Sequence, residues 1–191
     1  ERISLRAGFE GELMLILESD SPEPPELEIE ADISAVHLFE DHSVVMAGQN
    51  YLTIRVLDRD FRVSAASFFQ VNTKMAEKMV EHLLGTLPVS SSDTVVDLYG
   101  CVSLFSSFFA SRSVRVIVIE ASPFVCEDFM VNLDEFENVE LYEGTAEEIL
   151  PALVAQIANL RYAIVDPPRA GLERYVVDAL QAIGPGVIAY V

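Results

Sequence analysis

The sequence has few basic residues and no long hydrophobic run. Lys and Arg number 12 against 31 Asp and Glu, which gives a formal net charge of −19 at pH 7. Phosphate backbones are normally met by basic surfaces, so this balance argues against strong nucleic-acid binding by this chain alone. Polar and charged residues interrupt each apolar run well before the roughly 18–20 residues that cross a bilayer, and we expect no membrane segment.

Targeting signals and cysteine pairs are also lacking. The N-terminus, Glu1 to Ser4, has neither the basic nor the apolar region of a signal peptide. The two cysteines, Cys101 and Cys126, are too few for a disulfide framework or a zinc site and suit a reducing compartment. We therefore expect a cytoplasmic protein without a metal site. Surface or core positions are expected of the three histidines, which have no partners in sequence: His37, His42 and His82.

The order of apolar segments predicts two regions in the 191 residues. Residues 1–63 predict a small β-rich domain with an antiparallel sheet of four or five strands, because short apolar segments alternate with turns. Residues 64–191 predict an α/β domain, since strands and helices alternate in a way typical of a doubly wound parallel sheet. The strands predicted there are 94–98, 114–119, 139–143, 162–165 and 187–191, and the helices include 73–84, 145–158 and 173–183.

The strand predicted at Thr94–Leu98 begins a candidate nucleotide-binding unit. It is followed by a loop of small residues, 99–103, and then by an apolar segment of helical length. In such a unit the loop backbone approaches a ligand, and a carboxylate about 20 residues further on binds ribose hydroxyls. Glu120 has that position. The spacing alone equally fits an ordinary strand–helix turn with a surface glutamate, since the loop has only Gly100 and not the full G-x-G-x-x-G pattern.

Two further segments carry polar residues where a ligand could bind. Asp166 follows a buried strand and precedes Pro167 and Pro168, which fix the backbone at the sheet edge. Gln70 follows two phenylalanines just before a predicted helix, where an amide can point into a cleft. The alternatives are a proline-capped strand end with a solvated Asp166 and Arg169, and a phenylalanine pair before Gln70 that only fills the core.

Together these segments resemble the S-adenosylmethionine-dependent RNA (uracil-5-)-methyltransferases. The order and spacing of the matching segments are those of that family, although each segment alone is not specific. The resemblance extends from about residue 60 to the end, and the β-rich region is similar to the family's central domain. The matching segments are Ser67–Asn72, Asp97–Tyr99 with its loop, Ile119–Glu120 and Asp166–Leu172.

The resemblance implies a Rossmann-like methyltransferase fold and S-adenosylmethionine as the cofactor. It implies cofactor contacts from Gln70, Tyr99, Glu120 and Asp166, with Glu120 on the ribose hydroxyls and Gln70 and Asp166 nearer the transferred methyl group. Asp97 would orient the loop. The substrate implied is a uridine in ribosomal or transfer RNA.

The sequence departs from the family pattern at three places. The family loop usually reads Asp-Leu-Tyr-Cys-Gly-x-Gly, whereas here Gly100 precedes Cys101 and Ser103 replaces the second glycine. A glycine usual just before the glutamate is replaced by Ile117 or Val118. The family's nucleophilic cysteine, which adds to uracil C6, and its proton-abstracting glutamate are expected beyond Val191.

We therefore expect part of an RNA uracil-C5 methyltransferase that is inactive by itself. One alternative is a relative that has lost catalysis and serves as a binding module, which the altered loop and the acidic charge favour. The other is a different methyltransferase or a dinucleotide-dependent oxidoreductase. The Asp166–Arg169 segment argues against the oxidoreductase.

Overall fold

A computed structural model describes residues 1–157 and 160–191. The first region contains a four-stranded sheet in which the strands lie in chain order. Its strands are β1 (Arg2–Ala7), β2 (Leu13–Glu18), β3 (Ser34–Phe39) and β4 (His42–Ala47).

The prediction that this sheet is antiparallel is wrong for one of its pairs. Strands β2 and β3 pair in parallel, with Met14 opposite Ser34 and Glu18 opposite Leu38. Parallel pairing needs a connection of about a dozen residues or more. The proline-containing segment 19–33 between these strands is long enough to return the chain to the start of β2.

A separate antiparallel hairpin follows, formed by β5 (Tyr51–Val56) and β6 (Arg59–Ser64). It is not part of the four-stranded sheet, so the single sheet of four or five strands that we predicted is divided in two. The turn of the β1–β2 hairpin contacts it, because the Phe9 amide donates to the Thr53 carbonyl at 2.7 Å.

The second region is a five-stranded parallel sheet, which confirms the predicted doubly wound α/β class. The order is β11-β10-β7-β8-β9, so the chain leaves the central strand β7 on one side and returns on the other. Ligands in such sheets bind at the carboxyl ends of the strands where this reversal occurs. The strands are β7 (Thr94–Leu98), β8 (Arg115–Glu120), β9 (Val139–Glu143), β10 (Tyr162–Val165) and β11 (Val187–Tyr190).

Within residues 1–157 and 160–191, five helices cover the two faces of this sheet. Because side chains alternate along a strand, Val95 faces one core and Val96 the other. The first core contains α1 (Thr73–Thr86), α2 (Leu104–Ala110) and α3 (Pro123–Asn132), and the second contains α4 (Ala146–Leu153) and α5 (Arg174–Ile183).

Helix α4 is shorter than predicted. It ends at Leu153, where turns replace the helix, and it contains Pro151, which cannot donate an intrahelical hydrogen bond. The predicted end of this helix, Ala158, lies outside the described residues.

The β5–β6 hairpin shares the first core. Val56, Phe61 and Val63 are buried in it together with residues of α1, α2 and α3. The division of the chain into domains at 63/64 remains a prediction, and β6 crosses that position. Within the described residues, each helix is too short or too polar to span a bilayer.

Candidate functional site

A small pocket lies at the carboxyl ends of β7 and β10. Three of the four predicted cofactor residues line it: Gln70, Tyr99 and Asp166. Tyr99 directly follows β7 and Asp166 directly follows β10, and these strands are neighbours in the sheet. The enclosed space is only about 20 Å³, room for roughly one water molecule. The remaining lining residues are Phe68, Phe69, Gly100–Val102, Leu104 and Phe105.

Glu120, the fourth predicted residue, contacts the loop but is not among the residues that line the pocket. One of its carboxylate oxygens accepts a hydrogen bond from the Cys101 amide at 3.0 Å, and the other accepts from the Ser122 amide at 2.8 Å. Each carboxylate oxygen has two lone pairs, so both can accept a further donor. Glu120 therefore holds the loop that forms the pocket wall and retains acceptor capacity.

The loop backbone is left-handed at three residues that are not glycine. The φ angles are 63° at Tyr99, 48° at Cys101 and 78° at Ser103. Cys101 and Ser103 stand where the family pattern has glycines, so the loop keeps the conformation that glycine permits. A side chain in this conformation costs about 1–2 kcal/mol per residue.

The glycine at position 100 is required for a different reason. Its φ is not in the left-handed range, but a Cβ built there would lie 2.2 Å from Cγ1 of Val118. Val118 is one of the two candidates for the position at which the family glycine is replaced. The loop departure and the strand departure are therefore in contact, with the small residue on the loop and the larger one on β8.

Asp97 is fully buried beneath the loop. Its Oδ2 accepts a hydrogen bond from the Ser106 hydroxyl at 2.5 Å, and its Oδ1 has no partner in the described structure. Burial raises the pKa of this carboxyl to about 7, and the charges of Asp166 and Glu120 act in the same direction. The described contact of its carboxylate is thus with helix α2, and its predicted role in orienting the loop remains a prediction.

The polar side chains of the pocket differ in how they are held. The Tyr99 hydroxyl donates to Oε1 of Glu147 at 3.0 Å, and burial raises the pKa of this tyrosine. Burial also raises the pKa of Asp166. The Gln70 side chain makes no hydrogen bond within the described residues, so its amide is available to a ligand.

Neither cysteine is poised to act as a nucleophile. Burial raises the pKa of Cys101 to about 12, assisted by the nearby Glu120, and burial raises the pKa of Cys126 to about 11. Both thiols are therefore protonated at neutral pH, whereas a nucleophilic cysteine needs its thiolate.

The histidines also occupy the expected surface and core positions. His37 is fully buried, and its Nε2 hydrogen bonds with the Ser19 hydroxyl at 2.8 Å. His42 and His82 are exposed. Among the described residues, no group of three or more His, Cys, Asp or Glu side chains has the arrangement of a metal site.

Two polar residues of α3 were missed by the sequence analysis. Asp128 and Asn132 are buried and hydrogen bond to segments next to the pocket. Their spacing of four residues on a helix with an otherwise apolar buried face is the signal that could have identified them.

The parallel sheet, its strand order and the acidic residues at the strand ends define the class as Rossmann-like α/β proteins, and sequence similarity identifies the family. A profile of the tRNA (Uracil-5-)-methyltransferase family matches residues 35–191, so the chain belongs to this family. This confirms the resemblance seen in the sequence.

The curated relatives are bacterial proteins described as uncharacterised RNA methyltransferases. One from Lactococcus lactis is 31% identical over 150 residues, which are 78% of this chain and 33% of the relative. One from Streptomyces coelicolor is 32% identical over 172 residues, 87% of this chain and 37% of the relative. The chain thus spans about a third of the length of these relatives.

Solved structures show the same fold. The tRNA (uracil-54, C5)-methyltransferase of Pyrococcus abyssi, determined with S-adenosyl-L-homocysteine, matches with a TM-score of 0.74 at 24% identity, covering 98% of this chain and 48% of that protein. The tRNA m1G37 methyltransferase of M. jannaschii matches with a TM-score of 0.57 at 14% identity, covering 95% of this chain and 58% of that protein.

Proposed function

We propose that this chain is the S-adenosylmethionine-binding part of an RNA uracil-C5 methyltransferase. The observation that carries the proposal is the convergence of Gln70, Tyr99 and Asp166 on one pocket whose loop is hydrogen bonded to Glu120. Family membership supports the reaction class. The methyltransferase of P. abyssi, which shares the fold, was determined with the product form of this cofactor.

The residues present fit a nucleoside with a cationic sulfonium. Glu120 has free lone pairs for ribose hydroxyls, and the Gln70 amide is unoccupied among the described residues. The carboxylates of Asp166 and Glu120 place negative charge near the pocket, which favours a cation. When bound, S-adenosylmethionine would supply the methyl group.

The small enclosed space indicates how the ligand would lie. A volume of about 20 Å³ holds one water molecule and not a nucleoside. The ligand would therefore extend from the pocket along the loop toward Glu120, and the side chains that line the pocket would move apart. Cys101 connects the pocket to Glu120, because it lines the pocket and its amide donates a hydrogen bond to the Glu120 carboxylate.

We propose that the nucleophilic addition to uracil and the later removal of its proton are carried out by residues outside this chain. Uracil C5 is a poor nucleophile, so family members first add a cysteine thiolate to C6 and later remove the C5 proton with a glutamate. Cys101 and Cys126 do not have the pKa for the first role. We therefore propose that the chain binds cofactor but does not turn over alone.

The substrate proposed for the whole enzyme is a uridine in ribosomal or transfer RNA. The methyltransferase of P. abyssi, which shares the fold, acts on tRNA, and this favours tRNA over ribosomal RNA as the substrate. The net charge of −19 predicts that this chain alone binds RNA weakly. A cytoplasmic location, where such RNA is found, is part of the same proposal.

Calorimetric titration with S-adenosylhomocysteine tests the cofactor assignment. We expect micromolar binding that falls at least tenfold in Glu120→Gln, because the variant loses one charged acceptor for the ribose and weakens the hold on the loop. Glu127→Gln is the matched control, since Glu127 is exposed on α3 and should leave the affinity unchanged. A folded protein that releases no heat at millimolar ligand would contradict the assignment and favour the binding-module alternative.

A further inference from the structure

Helix α3 has two buried polar side chains on one face. Asp128 is 0% exposed and Asn132 is 8% exposed, and they are separated by one turn of the helix. Buried polar side chains persist when they are hydrogen bonded. Here the partners of both belong to other elements of the fold.

Asn132 connects the β5–β6 hairpin to the cofactor loop. Its Oδ1 accepts from the Arg62 amide at 2.7 Å, and its Nδ2 donates to the Arg62 carbonyl at 3.0 Å. The same Nδ2 donates to the Val102 carbonyl at 3.0 Å. One side chain thus joins strand β6 to the loop that lines the pocket.

Asp128 holds the segment that leads to Gln70. Its Oδ2 accepts from the Ser64 amide and from the Ser67 hydroxyl, both at 2.6 Å, and its Oδ1 accepts from the Ser64 hydroxyl at 2.6 Å. Arg62 Nε lies 3.1 Å from Oδ1 as an ion-pair contact. On the other side of the segment, Arg6 donates to the Ser64 and Ser67 carbonyls at 3.1 and 2.8 Å.

The spacing of helix and strand explains why this pairing fits. Four residues of helix rise about 6 Å, and two residues of a strand rise about 6.6 Å. Asp128 and Asn132 are therefore in register with Ser64 and Arg62. The two side chains satisfy the open edge of β6 in the way that a neighbouring strand would.

The two walls of the pocket depend on this helix for their polar connection. Within the described residues, no hydrogen bond joins segment 67–71 directly to loop 99–103. We propose that Asp128 and Asn132 are positioning residues that fix these two walls relative to each other. The consequence for ligand affinity rests on the proposed cofactor function, whereas the consequence for the free protein does not.

The test compares variants of these contacts with a core variant of the residue that directly follows the helix. Asn132→Ala removes the link to Val102, and Ser67→Ala removes one hydrogen bond to Asp128 while Ser64 still satisfies that carboxylate. Leu133→Ala is the control, because Leu133 is buried in the core beside α3 but does not line the pocket. Hydrogen exchange of the hydrogen-bonded amides of Ser67, Cys101 and Ser103 is measured in the ligand-free proteins, and the dissociation constant for S-adenosylhomocysteine is measured by calorimetry.

We expect exchange at these amides to accelerate at least tenfold in Asn132→Ala and to a smaller extent in Ser67→Ala, with a dissociation constant raised at least fivefold. Leu133→Ala should leave both within twofold at a temperature where all variants are folded. Unchanged exchange in both Asn132→Ala and Ser67→Ala, or an equal change in Leu133→Ala, would overturn the proposal. Faster exchange in the two variants, together with a wild-type protein that binds no S-adenosylhomocysteine, would support the positioning role and contradict the proposed function.

Discussion

Replacing Gly100 by alanine has an outcome whose sign depends on Val118. The backbone at Gly100 is not left-handed, so alanine alone would be expected to stabilise the protein by about 0.4–1 kcal/mol through the unfolded chain. The added Cβ, however, would lie 2.2 Å from Cγ1 of Val118, more than 1 Å inside ordinary contact. Val118 is fully buried and β-branched, so its side chain has little freedom to move away.

We therefore predict that Gly100→Ala destabilises the protein by about 1–3 kcal/mol, the usual cost of overpacking a core. Val118→Ala should cost about 2 kcal/mol from the lost methyl groups and the cavity. In the double variant the new methyl group occupies part of that cavity, so the total should be smaller than the sum by about 1–3 kcal/mol.

Urea unfolding of the four proteins measures this coupling. Val116→Ala provides the matched control, since Val116 lies two residues away on the same face of β8 and is also fully buried. In that background Gly100→Ala should keep its full cost. Additive effects of Gly100→Ala and Val118→Ala, or a stabilising Gly100→Ala in the wild type, would refute the contact as the reason for glycine.

Two further predictions concern the loop that follows β7 and the strand β7 itself. Ser103→Gly should stabilise the protein by about 0.5–1 kcal/mol, because glycine relieves the φ of 78° at a residue whose hydroxyl caps no helix amide. Ser107→Gly, inside α2, should instead destabilise the protein. Equal losses of stability for the two variants in urea unfolding would contradict this prediction. The other prediction concerns the raised pKa of Asp97. Below about pH 4 its carboxyl is protonated in both the folded and the unfolded protein, but between about pH 4 and 7 the folded protein retains a proton that the unfolded protein has lost. The stability that Asp97 contributes should therefore fall as the pH rises from about 4 to about 7, and Asp97→Asn should flatten the pH dependence of stability over this range; an unchanged slope would contradict the raised pKa.

The α/β region could be predicted from the sequence because its signals are local. The strands Thr94–Leu98 and Tyr162–Val165 are short apolar runs closed by turn residues, and both are found close to the predicted bounds. Adjacent parallel strands end at the same sheet edge, which is why Tyr99 and Asp166 could be expected to meet. The end of helix α4 was less predictable, since Pro151 has a residue-level effect that the apolar pattern does not reveal.

The remaining features depend on contacts distant in sequence. The parallel pairing of β2 with β3 depends on the path of segment 19–33, which has no pattern that fixes its direction. The partners of Asp128 and Asn132 are 30–70 positions away, so their roles could not be assigned before the hairpin and the loop were placed on α3. The contact of Gly100 with Val118 likewise joins two departures that look independent in the sequence.

We propose that the pocket bounded by Gln70, Tyr99 and Asp166 binds S-adenosylmethionine, with Glu120 on the ribose of the cofactor. A crystal structure of this chain grown with saturating S-adenosylhomocysteine tests it most directly. We expect the nucleoside along the loop after β7, with ribose hydroxyls within hydrogen-bond distance of the Glu120 carboxylate and the homocysteine sulfur on the side of Gln70 and Asp166. A ligand bound elsewhere, or a pocket that remains too small for a ligand under these conditions, would contradict this assignment.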